Sequence, residues 1–154
     1  MPTTEETAEK LVTNFLRIPL SHLRRNPRLR RSAVIEDIVV ILDGSGSVGN
    51  CEFDKAKQAL KNMLDMGSDA GFDNKYAAVS FGVSAVTNFN FRTNPEAGKR
   101  IKQIPYLSGG RTNTQAGLKE AKRLFEDPGS GMSMLCLLPA VYTVSREVCC
   151  TTVL

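Results

Sequence analysis

The sequence has one histidine, His22, and it falls in an arginine-rich N-terminal stretch. Nucleophilic arrangements of the Ser-His-Asp or Cys-His kind need a base held beside the nucleophile. Without His22 none can be assembled, and no enzyme is expected. Cysteine is scarce too. Cys51, Cys136, Cys149 and Cys150 match no zinc spacing, and the adjacent Cys149 and Cys150 make a poor metal clamp. Free thiols are the simplest reading, with several pairings open if they oxidise. Long apolar runs are missing. The most apolar stretch, Met132–Val144, is below bilayer length and contains Pro139, so no membrane span is expected. Residues 1–23 lack a basic segment followed by an apolar one and carry Glu5, Glu6 and Glu9 instead, unlike a secretory leader. There is no N-x-S/T acceptor site. The net charge of +4 is modest and uneven, because five arginines crowd between Arg24 and Arg31. A nucleic-acid binder places its basic residues on a folded face, so nucleic acid is not an expected partner. RLRR (Arg28–Arg31) resembles a dibasic processing site, but an exposed basic linker is the simpler reading.

What remains is a composition suited to one domain with its own core: 154 residues, 42% apolar and 23% charged. Thr3 and Glu6 have capping-box spacing, and Ala8, Leu11, Val12, Phe15 and Leu16 form an apolar stripe, so a helix is predicted over 3–18, ended by Pro19. Ile38–Leu42 (IVVIL) is a continuous β-branched run, the pattern of a strand buried on both faces. Phe53, Ala56, Leu60, Met63 and Leu64 recur at helical spacing, with Gly67 placed to stop that helix. Lys75–Gly82 and Ala85–Phe91 read as two strands close enough to pair as a hairpin. Pro95–Gln103 is a short helix. LSGGRTNTQAGL leads into another, with Ala116, Ala121, Leu124 and Phe125 inward and Asp127-Pro128-Gly129 ending it. The acids Asp65, Asp69 and Asp73 read as a solvated cluster. Alternating strands and helices predict an α/β fold, an open and mostly parallel sheet flanked by helices. In such sheets ligands sit beyond the C-terminal ends of the strands.

The stretch EDIVVILDGSGSVG (Glu36–Gly49) delivers a Gly/Ser loop to that position. Gly44, Gly46 and Gly49 satisfy G-x-G-x-x-G, a dinucleotide spacing. Asp43, Ser45 and Ser47 satisfy Asp-x-Ser-x-Ser, three hard oxygen donors. The dinucleotide reading needs an acid at the end of the next strand, about 20 residues on. That strand ends in Ser80-Phe81-Gly82, without one. Asp43 would also repel a pyrophosphate, and no Gly-Lys-Ser/Thr follows to make a Walker loop. The cation reading fares better. Small residues between the donors let Asp43, Ser45 and Ser47 turn toward one point, and Mg²⁺ wants about six oxygens in octahedral array. The plain alternative is a turn whose serines only cap the following helix.

IVVILDGSGSVG, FDKAKQAL, YAAVSFG and IPYLSGGRTNTQAGL, in that order, closely resemble the von Willebrand factor type A domain family over roughly residues 36–130. The resemblance implies a metal-ion-dependent adhesion site on a Rossmann-like sheet. Its ligands here would be Asp43, Ser45, Ser47 and, from GG-x-T-x-T, Thr112, with Thr114 capping the next helix. It implies Mg²⁺ or Mn²⁺ as cofactor and, as partner, an extracellular matrix or cell-surface protein presenting an Asp or Glu. It also implies an extracellular location. The family's second acid, from a Thr-Asp-Gly after the fourth strand, has no counterpart: after Gly131 no Asp or Glu occurs before Glu147. On this reading residues 1–33 are a helix and Arg-rich linker, 34–130 the domain, and 131–154 a divergent tail. The fold is then expected to be short on its C-terminal side, and either the tail supplies a strand or Ile38–Leu42 keeps an open edge. Two further readings stay open: a scaffold with a degenerate site, and a nucleotide-using enzyme resting on the glycines alone.

Overall fold

The computed structural model describes residues 3–14, 36–69, 71–108, 110–126 and 132–138. The predicted linker with His22, the helix residues Phe15 and Leu16, the Asp127-Pro128-Gly129 stop and the tail beyond Leu138 lie outside the described residues. Eight elements follow in order: α1 (Thr4–Asn14), β1 (Glu36–Asp43), α2 (Asn50–Asp69), β2 (Lys75–Phe81), β3 (Ala85–Thr93), α3 (Asn94–Lys102), α4 (Thr114–Phe125) and β4 (Met132–Leu138).

The capping box predicted at the start of α1 is formed. Glu6 N–H donates to Thr3 Oγ1 at 3.1 Å, and Thr3 N–H donates to Glu6 Oε2 at 2.9 Å. The strands make one sheet in the order β3-β2-β1-β4. β1 runs parallel to β2 and to β4, while β2 and β3 form the predicted antiparallel hairpin. β1 is therefore flanked on both sides, and Met132–Leu138 fills the edge that would otherwise stand open, in register from Glu36↔Met132 to Leu42↔Leu138.

The alternation of a strand divides the core. Ile38, Val40 and Leu42 of β1, with Tyr76 and Ala78 of β2, pack with Leu11, Phe53, Leu60, Met63, Leu64 and Ile101 from α1, α2 and α3. Val39 and Ile41, with Ala77, Val79 and Phe81, pack with Ala121 and Leu124 of α4 on the other face. Ile38 to Leu42 are all at most 1% exposed, so the continuous apolar run is a doubly covered strand. Each such side chain contributes about 1.5–3 kcal/mol of burial free energy. This anchors β1 and fixes the loop that follows it.

One helix boundary differs from the sequence expectation. Gly67 does not stop α2; it is buried inside the helix, which continues to Asp69. The stop is at Gly71, whose φ is +81. Gly71 N–H donates to Ser68 O and Phe72 N–H to Gly67 O, the paired bonds of a Schellman cap. Asp65 and Asp69 accordingly lie on the last turns of α2, where Lys61 binds Asp65.

A candidate metal centre at the end of the first strand

β1 ends at Asp43, which pairs with Phe81 at the C-terminal end of β2, and Gly44 N–H donates to Phe81 O at 2.7 Å. The chain then leaves the sheet and turns on itself. Asp43 Oδ1 accepts the N–H of Ser45 at 2.8 Å, an Asx-turn that aims the carboxylate along the loop. Val48 N–H donates to Ser45 O at 3.1 Å, closing the turn. α2 begins directly afterwards, with Phe53 N–H on Gly49 O. Asp43 is 8% and Ser45 0% exposed, whereas Ser47 is exposed. The loop thus runs from a buried carboxylate to an exposed hydroxyl.

The two serine hydroxyls face each other, Ser45 Oγ to Ser47 Oγ at 3.1 Å. Neighbouring ligands on an octahedral Mg²⁺, with metal–oxygen distances of about 2.1 Å, stand about 3.0 Å apart. The same separation that lets the hydroxyls share a hydrogen bond therefore suits them to one edge of such an octahedron. With Oδ1 of Asp43 engaged by backbone, Oδ2 is the carboxylate oxygen left to meet a cation. One carboxylate and two hydroxyls form a hard oxygen set of the kind that suits Mg²⁺ or Mn²⁺. Among the described residues no group of three or more His, Cys, Asp or Glu side chains is clustered so as to hold a metal ion.

A second loop, between α3 and α4, lies over the first. Tyr106 donates its hydroxyl to Ser45 O at 2.9 Å, and its ring packs on Phe53 with centroids 5.4 Å apart. Lys57 of α2 donates to Ile104 O at 3.0 Å. Leu107 lies 3.4 Å from where a Cβ on Gly44 would be, and Gly110 backbone atoms lie 3.8 and 3.9 Å from the corresponding point on Gly46. A Cβ at Gly44 or Gly46 would thus meet the second loop at ordinary van der Waals distance, so the second loop packs directly over DGSGS. Ser108 (φ 48) and Gly110 (φ 64) both hold left-handed backbone, which a non-glycine residue adopts at a cost.

Thr112 is exposed in this second loop. It takes no part in the hydrogen bonds that join Asp43, Ser45 and Ser47. Thr114 is not the cap of α4. Asn113 is, its Oδ1 accepting from Ala116 N–H at 3.1 Å. Asn113 also ties the loop to the β2–β3 turn, with its backbone N–H on Gly82 O at 2.8 Å and its Nδ2 on Val83 O at 3.2 Å. Sequence reasoning passed over Tyr106, Gly110 and Asn113. The signal available was the Asn three residues before Ala116, a better helix cap than threonine.

At the C-terminal end of β4 the register stops at Leu42↔Leu138. The sequence goes on with Pro139, Ala140 and Val141, so no carboxylate directly follows β4 in the chain.

Residues 37–137 match the sequence profile of the von Willebrand factor type A domain. The chain is 22% identical to rat von Willebrand factor over 109 residues, covering 69% of this chain and 25% of that protein. It is 30% identical to mouse integrin alpha-M over 111 residues, or 67% of this chain and 10% of the integrin. It is 26% identical to the mouse collagen alpha-6(VI) chain over 133 residues, or 82% of this chain and 6% of the collagen. The matched regions thus amount to a quarter or less of these relatives' lengths. With the profile spanning β1 through β4 and the sheet carrying its Asp-x-Ser-x-Ser loop at the C-terminal end of the central strand, the chain belongs to the von Willebrand factor type A domain family.

Proposed function

We propose that this chain is a divalent-cation-dependent protein-binding module of the adhesion type, acting outside the cell and performing no chemistry. Asp43, Ser45 and Ser47 hold Mg²⁺ or Mn²⁺, Thr112 approaches from the second loop, and an Asp or Glu of a partner protein completes the shell. The observation that carries this reading is the 3.1 Å spacing of the two serine hydroxyls beside a carboxylate already oriented by the Ser45 N–H. When bound, the cation supplies a Lewis-acidic position for an outside oxygen. The chain's own residues set that position. Asp43 neutralises part of the charge, and the hydroxyls donate lone pairs without adding charge. A cation so held keeps much of its attraction for a carboxylate. Family membership supports the same reading, since the matched relatives include an integrin chain and a collagen chain. Among the described residues no helix is long and apolar enough to cross a membrane.

A second reading, a scaffold whose loop is inherited but unused, draws on one fact: Ser45 is fully buried and its hydroxyl already has a partner in Ser47. Thermal unfolding in EDTA and then in Mg²⁺ or Mn²⁺ separates the two. Binding to the native state alone raises the midpoint. At a tenfold excess over Kd the gain is about 1.4 kcal/mol, roughly 3–6 °C for a domain of this size. No rise at 10 mM (about ten times a Kd on the order of 1 mM, the weak end for oxygen sites) would leave the scaffold reading standing.

A further inference from the structure

Two residues beside the DGSGS loop have no part in holding a cation: Val83 and Arg111. Val83, in the β2–β3 turn, is 61% exposed, more than the other exposed large apolar side chains Val86 and Leu118. Its Cγ2 lies 2.6 Å from where a Cβ on Gly110 would stand, and Gly110 in turn lies against Gly46. Gly46, Gly110 and Val83 therefore follow one another across a continuous surface, tied by the Asn113 bonds to Gly82 O and Val83 O. Arg111 stands next to Gly110 in the chain and is exposed.

The electrostatic setting of Arg111 differs from that of six of the helical cations. Lys55, Lys57, Lys61, Arg100, Lys122 and Arg123 are each paired with a carboxylate three or four residues away along the chain. Arg111, like Lys99, Lys102 and Lys119, makes no ion pair among the described residues; what sets it apart is its place in the loop that packs over DGSGS. The donors Ser45 and Ser47 are neutral, so Asp43 offsets only part of a divalent charge, and Arg111 adds to the remainder. Such a face favours more than one anionic group. A guanidinium takes a carboxylate through two parallel N–H bonds, and an apolar side chain at its edge excludes competing water.

Building on the metal-dependent reading above, we propose that Arg111 and Val83 form a second recognition subsite beside the cation. It takes a peptide segment that carries, besides the metal-binding carboxylate, a second acidic side chain for Arg111 and an aliphatic one for Val83. A single carboxylate on the cation gives capture; the second acid and the aliphatic residue give selectivity.

The test uses the full chain and displayed random nonapeptides with a fixed central glutamate, bound in Mg²⁺ and eluted with EDTA. Enrichment of a second Asp or Glu and of an aliphatic residue at constant offsets is expected. One enriched peptide, synthesised, should bind Arg111→Ala roughly threefold to fivefold more weakly, the scale of a well-formed exposed ion pair. Arg111→Lys should fall between, and Val83→Ser should lose the aliphatic preference while keeping the acidic one. Mn²⁺ titration calorimetry and the unfolding midpoint should be preserved in all three variants. Equal peptide binding by Arg111→Ala and the unaltered chain, or selection without a second acid, overturns the subsite while EDTA elution upholds the metal reading. Retention of Mn²⁺ binding with no peptide selected also overturns the subsite alone. No heat with Mn²⁺ and no elution by EDTA overturns both.

Discussion

The two loops that meet at the candidate site are held in opposite ways. The first, Asp43–Gly49, is organised largely from within: Asp43 binds the N–H two residues on, Ser45 O closes on Val48, and the serine hydroxyls meet each other. The second, from Ile104 to Asn113, is organised from outside. Apart from Ile104 N–H on Ile101 O at its start and the α4 cap at its end, its bonds come from Lys57, Ser45, Gly82 and Val83, all distant in sequence. A short-range turn forms wherever its own residues allow it. A long-range loop exists only once the sheet has brought its anchors together. On the function proposed above, the cation's donors are on the first loop, and the residues that shape access to them are on the second.

The largest effect should come from the charge of the first loop. In Asp43→Asn the amide oxygen still accepts the Ser45 N–H, so stability in EDTA should stay within about 1 kcal/mol of the unaltered chain. Mn²⁺ affinity should fall on the order of a hundredfold or more, because the only charged donor is gone. Titration calorimetry beside denaturant unfolding reads both. A parallel loss of folding would mean that the local turn depends on the carboxylate's charge.

Next comes the long-range loop. Gly110→Ala adds a Cβ 2.6 Å from Val83 Cγ2 at a residue with φ 64, and should cost about 2–4 kcal/mol in urea unfolding from crowding and left-handed strain together. Adding Val83→Ala should recover the crowding part alone, so a complete recovery would show that strain contributes nothing. Tyr106→Phe keeps the ring on Phe53 and removes the bond to Ser45 O. It should cost about 1 kcal/mol. If the second loop steadies the first, it should also weaken Mn²⁺ binding severalfold.

The smallest effect lies away from both loops and serves as a control. Glu120 on α4 has its pKa held below the ordinary carboxylate value by hydrogen bonds from Arg123 and then Thr87. Its stabilisation is present above the unfolded-state pKa and is lost as pH falls through the lower folded-state value. Glu120→Gln should therefore cost a few tenths of a kcal/mol near neutral pH, discounted for its exposure, and nothing in strong acid. Metal affinity should not change.

The fold was largely legible because its signals are periodic. The run Ile38–Leu42 could bury both faces only inside a sheet, and the stripes on α2 and α4 needed a sheet to cover. The errors fell where a local residue type suggested the wrong stop or cap. Gly67 looked like a terminus but fits inside α2, because the left-handed turn that ends the helix falls at Gly71. Thr114 looked like a cap, but Asn113 occupies the position from which a side-chain oxygen reaches Ala116 N–H.

The sequence by itself determined that the oxygens of Asp43, Ser45 and Ser47 share one turn, since their spacing is a property of the backbone over five residues. It also determined the strand that carries them, since burial on two faces is written in consecutive apolar residues. Only the tertiary structure decided what lies over that turn. Tyr106 on Ser45, Gly110 against Gly46, and Asn113 on the β2–β3 turn are pairings across tens of residues. Likewise, only the parallel register of Met132–Leu138 with Glu36–Leu42 decided that the central strand has neighbours on both edges. Contacts between distant residues depend on how the sheet is ordered, and local pattern does not encode that order.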